Sequence, residues 1–218
     1  MGIISAVIVN GYYKNRSLRA LRKRLRQLSG TVVVASEAQK LGRIGKGYRR
    51  HSAPKYMPDH VREVAVYTKK SFNLHGVLWR IATNAAGKGA HPRTIVEVRG
   101  ADSGVKWSII AVHNNPTRRG AGAKQSVRLM RQVTRLVRQA KKDGYTPIVM
   151  GDFNRRPEEK GKGTQHYVAR VTGGTVKQER LDGAVVPSGL RVSGWRVFKT
   201  PGGDHPLIRA IYVKTRRT

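Results

Sequence analysis

Asp152 and Asn154 stand two positions apart where an apolar run, Ile148-Val149-Met150, gives way to Gly151 and a loop that reaches Pro157. Residues two apart on a strand point to one side of it. The pair is therefore expected to aim a carboxylate and an amide at a common spot. A carboxylate so placed can activate water or hold a cation, and an amide can bond a phosphate oxygen or a water. The same residues, Gly151-Asp152-Phe153-Asn154, are also good turn formers. The choice between turn and site rests on the rest of the chain.

Acidic residues are scarce, twelve in all, so their positions carry information. Glu37, Asp152, Asp182 and Asp204 each sit at or beside the end of an apolar run. Gathered at strand ends, they would form a local anionic pocket inside a positive field. That arrangement suits a hard cation such as Mg²⁺ with oxygen ligands, while the surroundings attract phosphate. His113 and His205 occupy similar positions. A lone histidine is more often a hydrogen-bonded structural residue, but two at strand ends beside four carboxylates are candidates for chemistry. A histidine oriented by a carboxylate can move a proton near neutral pH.

These side chains need a framework, and the length of 218 residues suits one domain spanning 1–218, with no linker and no internal repeat to divide it. The charge is lopsided: 44 Lys+Arg against 12 Asp+Glu, a net +32 at pH 7. Such self-repulsion opposes compaction and fits a polyanionic partner. Nucleic acid is the first candidate and an anionic membrane surface the second. The chain has no Cys, which excludes a disulfide framework and a thiolate zinc site. Residues 1–9 are apolar but too short to span a bilayer, and no basic segment precedes them as a signal peptide requires. Ala6 stands where myristoylation prefers Ser or Thr. The expectation is an intracellular, cytoplasmic or nucleoid-associated monomer without a transmembrane segment.

In order, the chain reads as strand 3–9, then a helix over 18–28 capped by Ser17 and stopped by Ser29-Gly30, then an apolar strand over 31–36. Leu18, Leu21, Leu25 and Leu28 form the helix's apolar stripe, and its other face is basic. Residues 42–60 read as a Gly-, Pro- and Arg-rich loop without Walker spacing. Strands are expected over 61–68 and 77–82, with a turn at Gly87-Lys88-Gly89. A hairpin joins 94–98 to 107–112 around 101–104, and a long helix runs from 123 to 142. The strand 147–150 and a charged loop over 155–166 follow, then strands over 184–186, 196–198 and 207–213.

The series Asn10, Glu37, His113, Gly151-Asp152-Phe153-Asn154, Arg180-Leu181-Asp182 and Asp204-His205-Pro206 resembles the endonuclease/exonuclease/phosphatase superfamily, which includes nucleases like DNase I and exonuclease III. The resemblance spans the chain from first strand to last. Gly-Asp-Phe-Asn and the final Asp-His-Pro before a strand are its most specific pieces. Asp59-His60 repeats the dipeptide in the wrong context. The resemblance implies a four-layer α/β sandwich of two packed mixed β-sheets flanked by helices. It also implies that Glu37, with Asn10 and Asp204, holds Mg²⁺, with Mn²⁺ as an alternative. Asp152 would orient or deprotonate the attacking water and Asn154 would fix the phosphate or that water. His205, oriented by Asp182, would stabilise charge or transfer a proton, and His113 would contact the phosphate.

Two departures stand out. Tyr12 occupies a position where the superfamily often has a second acid, and the chain is compact, which favours a general nuclease over a lesion-specific repair enzyme. The leading expectation is a metal-dependent endonuclease hydrolysing phosphodiester bonds of DNA with little sequence preference. The alternatives are a basic nucleic-acid-binding or packaging protein on an inactive nuclease fold, and a phosphatase of the same superfamily.

Overall fold

The computed structural model describes residues 2–11, 17–55, 57–58, 62–83, 92–116 and 119–214. Tyr12, Asp59-His60 and the Gly87-Lys88-Gly89 turn lie outside them. Among the described residues, twelve strands form two six-stranded sheets. The first contains β1 (Gly2–Asn10), β2 (Val32–Ser36), β3 (Tyr48–Ser52), β4 (Ala65–Lys69), β11 (Leu190–Lys199) and β12 (Pro206–Lys214). Its order is β11-β12-β1-β2-β4-β3. The second contains β5 (Asn73–Thr83), β6 (Arg93–Asp102), β7 (Val105–His113), β8 (Thr146–Asp152), β9 (Gly174–Glu179) and β10 (Asp182–Pro187), in the order β5-β6-β7-β8-β10-β9. Among the described residues, three helices flank them: α1 (Leu18–Leu28), α2 (Gly120–Lys142) and α3 (Gln165–Thr172).

Each sheet has one parallel pair at its centre, β1 with β2 and β7 with β8, and antiparallel neighbours outside it. Parallel neighbours need a crossover, and α1 and α2 supply the two. Alternation along the strands then decides the layers. Ile4, Ala6 and Ile8 of β1 point between the sheets toward Val96, Ile109, Ile148 and Met150. Val7 and Val9 point outward onto Leu21, Leu25 and Leu28 of α1. On the far side, Leu129, Met130, Val133 and Val137 of α2 cover Ile110, Val112 and Val149. Central strands buried on both faces explain the unbroken apolar runs. Burying each such side chain contributes about 1.5–3 kcal/mol. The four-layer sandwich expected from the sequence is the observed architecture.

The hairpin also forms where expected. Asp102 pairs with Val105, and Ser103 and Gly104 take φ of 51° and 73°, the left-handed pair that a two-residue turn needs to match strand twist. Other elements differ from the sequence reading. The loop expected over 42–60 contains β3, whose Tyr-Arg-Arg-His-Ser has no apolar alternation and which pairs only with β4 at the sheet edge. The charged loop after 155 leads into α3, which buries only Gln165, Val168 and Ala169, and then into β9. Ser17 makes no side-chain cap bond; its carbonyl accepts the Leu21 N–H at 2.9 Å. Among the described residues, no helix is long and apolar enough to cross a membrane.

Candidate active site

The registers place the polar strand ends of both sheets at one end of the sandwich. In the second sheet His113 pairs with Asp152, and Asp152 pairs with Asp182, so three functional side chains stand abreast on β7, β8 and β10. In the first, Asn10 ends β1 beside Ser36 of β2, with Glu37 following, and His205 precedes β12 on the other side of β1. The two rows meet through Asp152. Its Oδ2 accepts the Asn10 side-chain N–H at 3.0 Å, while His113 Nε2 lies 3.6 Å and His205 Nδ1 3.8 Å from the same oxygen.

Gly151 makes this meeting possible. Its φ of 141° disfavours any side chain, and an added Cβ would stand 2.0 Å from the Val112 carbonyl oxygen. Only glycine lets β8 lie this close to β7 and set Asp152 beside His113. Ser36 then straps the sheets together beneath the site. Its hydroxyl donates to the Val112 carbonyl at 3.3 Å and accepts the Asp152 N–H at 3.2 Å.

Asn154 reaches the site differently from the strand geometry expected of it. The strand ends at Asp152, and Asn154 takes a left-handed φ of 49°. Its backbone N–H donates to Asp152 Oδ1 at 2.7 Å, closing an Asx turn, and its side-chain N–H₂ donates to the Asn114 carbonyl at 2.8 Å. The turn chemistry and the site chemistry are therefore the same residues. One amide hydrogen of Asn154 is committed to the scaffold, and an N–H₂ carries two.

Each histidine has its own carboxylate. His205 Nδ1 is 2.7 Å from Asp182 Oδ2, so its proton sits on Nδ1 and Nε2 is the atom left for a substrate. Burial alone would lower the His205 pKa, but the hydrogen bond and charge of Asp182, with Asp152 and Asp204, raise it to about 9. Burial pushes Asp182 up, the His205 bond opposes this, and the charge of Asp152 adds to it. His113 Nδ1 is 2.9 Å from Glu63 Oε2, and Arg93 Nη1 reaches that oxygen at 2.8 Å. Burial would lower His113, yet Glu63 outweighs it and the net direction is up. Glu63 itself is lowered: burial works against ionisation, but His113 and Arg93 overcome it.

Asn10, His113, Asp152, Asn154, Asp182 and His205 are thus brought together by the contacts above. Glu37 lies on the turn after β2, next in sequence to Ser36, half-buried at a φ of 49°. Asp204 precedes His205 with an exposed carboxylate that acts on the histidine by charge. Among the described residues, the acidic and histidine donors that lie within 4.8 Å of one another are Asp152, Asp182 and His205, a set that could hold a metal and that differs from the Glu37, Asn10 and Asp204 expected. Asp182 Oδ1 is buried without a hydrogen-bond partner, and such a carboxylate oxygen fits a hard divalent cation. His205 Nδ1 carries the proton bound to Asp182 and is not a ligand in this arrangement.

Glu63, Arg93 and Ser36 contact the candidate site, and the sequence reading did not single them out. Glu63 lies within the strand expected over 61–68, which starts only at Ala65. Its scarcity signal was the same as that of Glu37: one acid at the edge of an apolar run in a basic chain.

Neither a protein-family model nor a curated protein matches the sequence. Solved structures do match the fold. An endonuclease/exonuclease/phosphatase from Bacteroides vulgatus superposes with a TM-score of 0.77 at 10% identity, covering 99% of this chain and 100% of that one. A truncated Caenorhabditis elegans TDP2 gives 0.68 at 15% identity, covering 96% and 97%. A mannosyl-6-phosphatase from Bacteroides thetaiotaomicron gives 0.73 at 13% identity, covering 96% and 99%.

Proposed function

We propose that the chain, which has the fold of endonuclease/exonuclease/phosphatase proteins, is a metal-dependent phosphodiesterase that cuts DNA internally with little sequence preference. The observation that carries this reading is the placement of Asp152 at the junction of the two strand-end rows, within reach of Asn10, His113 and the Asp182–His205 pair. The charge of +32 selects a long polyanion over a small ester, because each neutralised backbone phosphate releases counterions and adds to affinity.

Asp152 is the group that orients and deprotonates the attacking water. Its two oxygens are fixed by the Asn10 side chain and the Asn154 backbone, so no rotamer search precedes the reaction. His205, held charged by Asp182, stabilises the phosphorane oxygens through Nε2 or returns a proton. His113 turns Nε2 inward because Glu63 binds Nδ1, and it contacts a non-bridging oxygen or the leaving oxygen. The free N–H of Asn154 binds phosphate or water. Mg²⁺, or Mn²⁺, would be held at these strand ends, by Glu37, Asn10 and Asp204 as the resemblance implies or by Asp182 through its unpartnered Oδ1, and would supply charge neutralisation for the phosphate and the leaving alkoxide. The chain acts as a monomer within the cell, where its substrate is.

Nicking of supercoiled plasmid in Mg²⁺, abolished by EDTA and by Asp152→Asn, is the expected result. Release of phosphate from small phosphate esters with plasmid left intact would turn the reading to a phosphatase, which the mannosyl-6-phosphatase likeness makes the second possibility. Binding without cleavage under any divalent metal would leave a nucleic-acid-binding protein.

A further inference from the structure

Beside the edge strand β3, residues 43–46 and 48–50 with Tyr67 and Lys70 line an open cavity of about 550 Å³. Arg43, Lys46, Arg49, Arg50 and Lys70 line it, and no acidic side chain does. Among the described residues, none of the five takes part in a salt bridge. Arg50 spends one nitrogen on the Ala38 carbonyl at 3.2 Å, while its Nε is buried with no partner. Gathering this many like charges works against folding, and nothing inside the cavity offsets it.

Its walls are fixed in advance. Arg22 of α1 donates to the Leu41 and Lys40 carbonyls at 2.7 and 3.1 Å, and Arg26 donates to the Ile44 carbonyl at 3.1 Å. The Tyr67 hydroxyl donates to the Gly42 carbonyl at 2.8 Å, and the Lys70 N–H to the Gly47 carbonyl at 2.9 Å. Helix guanidiniums and a strand tyrosine therefore satisfy the loop's own backbone, which leaves the loop's cations for something outside it.

The outer face of α2 provides a contrast. Lys124, Arg128, Arg131, Arg135, Arg138 and Lys142 are exposed along it, with no acid in the helix. They lie on a convex surface where water solvates each one. A concave wall focuses the field and raises the local anion concentration, whereas a convex one disperses it.

We infer that the β3-edge cavity is a phosphate-binding pocket that takes the backbone of a nucleic-acid strand, apart from the site of hydrolysis. The inference draws on the proposed nuclease reading for the source of the phosphate. Tyr67 in the cavity wall lies four residues beyond Glu63 of the strand-end cluster, roughly 13 Å along an extended chain, so one nucleic-acid strand of a few nucleotides spans that separation.

Anisotropy of a labelled single-stranded oligonucleotide, read in EDTA, tests this on the full chain. Arg43, Lys46 and Arg49 are exposed, so the triple Arg43→Ala/Lys46→Ala/Arg49→Ala keeps its melting temperature. It is expected to weaken binding about tenfold or more and to lower the salt slope by roughly 2, at 0.7 per phosphate contact. The triple Arg131→Ala/Arg135→Ala/Arg138→Ala removes equal charge and is expected to change affinity less than about threefold. Equal losses in the two triples would mean a diffuse field and would overturn the pocket, as would an unchanged pocket triple. If the pocket triple loses calorimetric binding of pyrophosphate while holding the oligonucleotide as before, the pocket serves free phosphates and the backbone assignment is wrong. Because EDTA stops hydrolysis, the pocket is tested in the same way on a chain with no nuclease activity.

Discussion

At the strand ends, Asp152, Asp182 and Glu63 face Arg93, His113 and His205, and all six side chains are buried or nearly so. Three acids meet one guanidinium and two imidazoles whose pKa values are pushed upward, so opposite charges are paired within the cluster. At the β3 edge, Arg43, Lys46, Arg49, Arg50 and Lys70 line a cavity with no carboxylate among its described lining residues. A chain with only twelve acids has concentrated several of them at the strand ends, beside two buried or half-buried histidines. Neutralised clusters support chemistry, since their groups hold one another's protonation states. Unneutralised ones support binding, since only an outside anion completes them.

Substitutions that disturb the paired charges are expected to act hardest. Asp152→Asn keeps the shape and removes the carboxylate; hydrolysis of plasmid should fall by roughly 10²–10⁴-fold, the usual worth of a positioned acid–base group, with oligonucleotide affinity retained. Retained cutting would place the water-activating group elsewhere. Glu63→Ala strands Arg93 and the His113 imidazole without their shared acceptor, and breaking a buried pair costs about 3–5 kcal/mol, readable by urea denaturation. A loss under about 1 kcal/mol would mean that water reaches this corner freely.

The histidine charge can be followed by pH. His205 is raised from 6.5 to about 9 by its carboxylates. In metal-free protein its contribution to stability is fully present below about pH 6.5 and is lost as pH rises toward and through 9. Imidazole NMR titration checks this, and Asp182→Asn should bring the midpoint back toward 6.5. Ser36→Ala, which cuts the hydroxyl strap between the sheets, should cost about 1–3 kcal/mol by leaving a buried polar group unsatisfied. Arg24→Ala, away from both regions, removes a guanidinium 4.8 Å from the Phe198 ring and should cost only about 0.5–1 kcal/mol.

Most of the layered framework was legible because its strands are buried on both faces. Val32-Val33-Val34-Ala35 and Ile148-Val149-Met150 cannot hide as loops. The β3 strand was hidden because an edge strand held mainly by backbone bonds to β4 needs no apolar side chains. Short α3 was hidden for a related reason: two apolar residues anchor it, too few to set a period. In the site, Asp152 and His205 announced themselves through residue type and strand-end position. Glu63 and Arg93 act as a pair separated by thirty residues, a relation that only folding creates. Asn154 was found for a partly mistaken reason, since an Asx turn and not strand alternation brings it to Asp152.

The interior place of β12 has a consequence for how the protein is made. This strand lies between β11 and β1, and His205 arrives just ahead of it, while Asn10 belongs to the first strand. At about 5–20 residues per second, roughly 10–40 s of translation separates the synthesis of Asn10 from that of His205. A nascent chain is therefore a strongly cationic polymer before Asn10 and His205 can share one site. The strand-end cluster is complete only once β12 pairs with β1, and the proposed hydrolysis waits for that pairing.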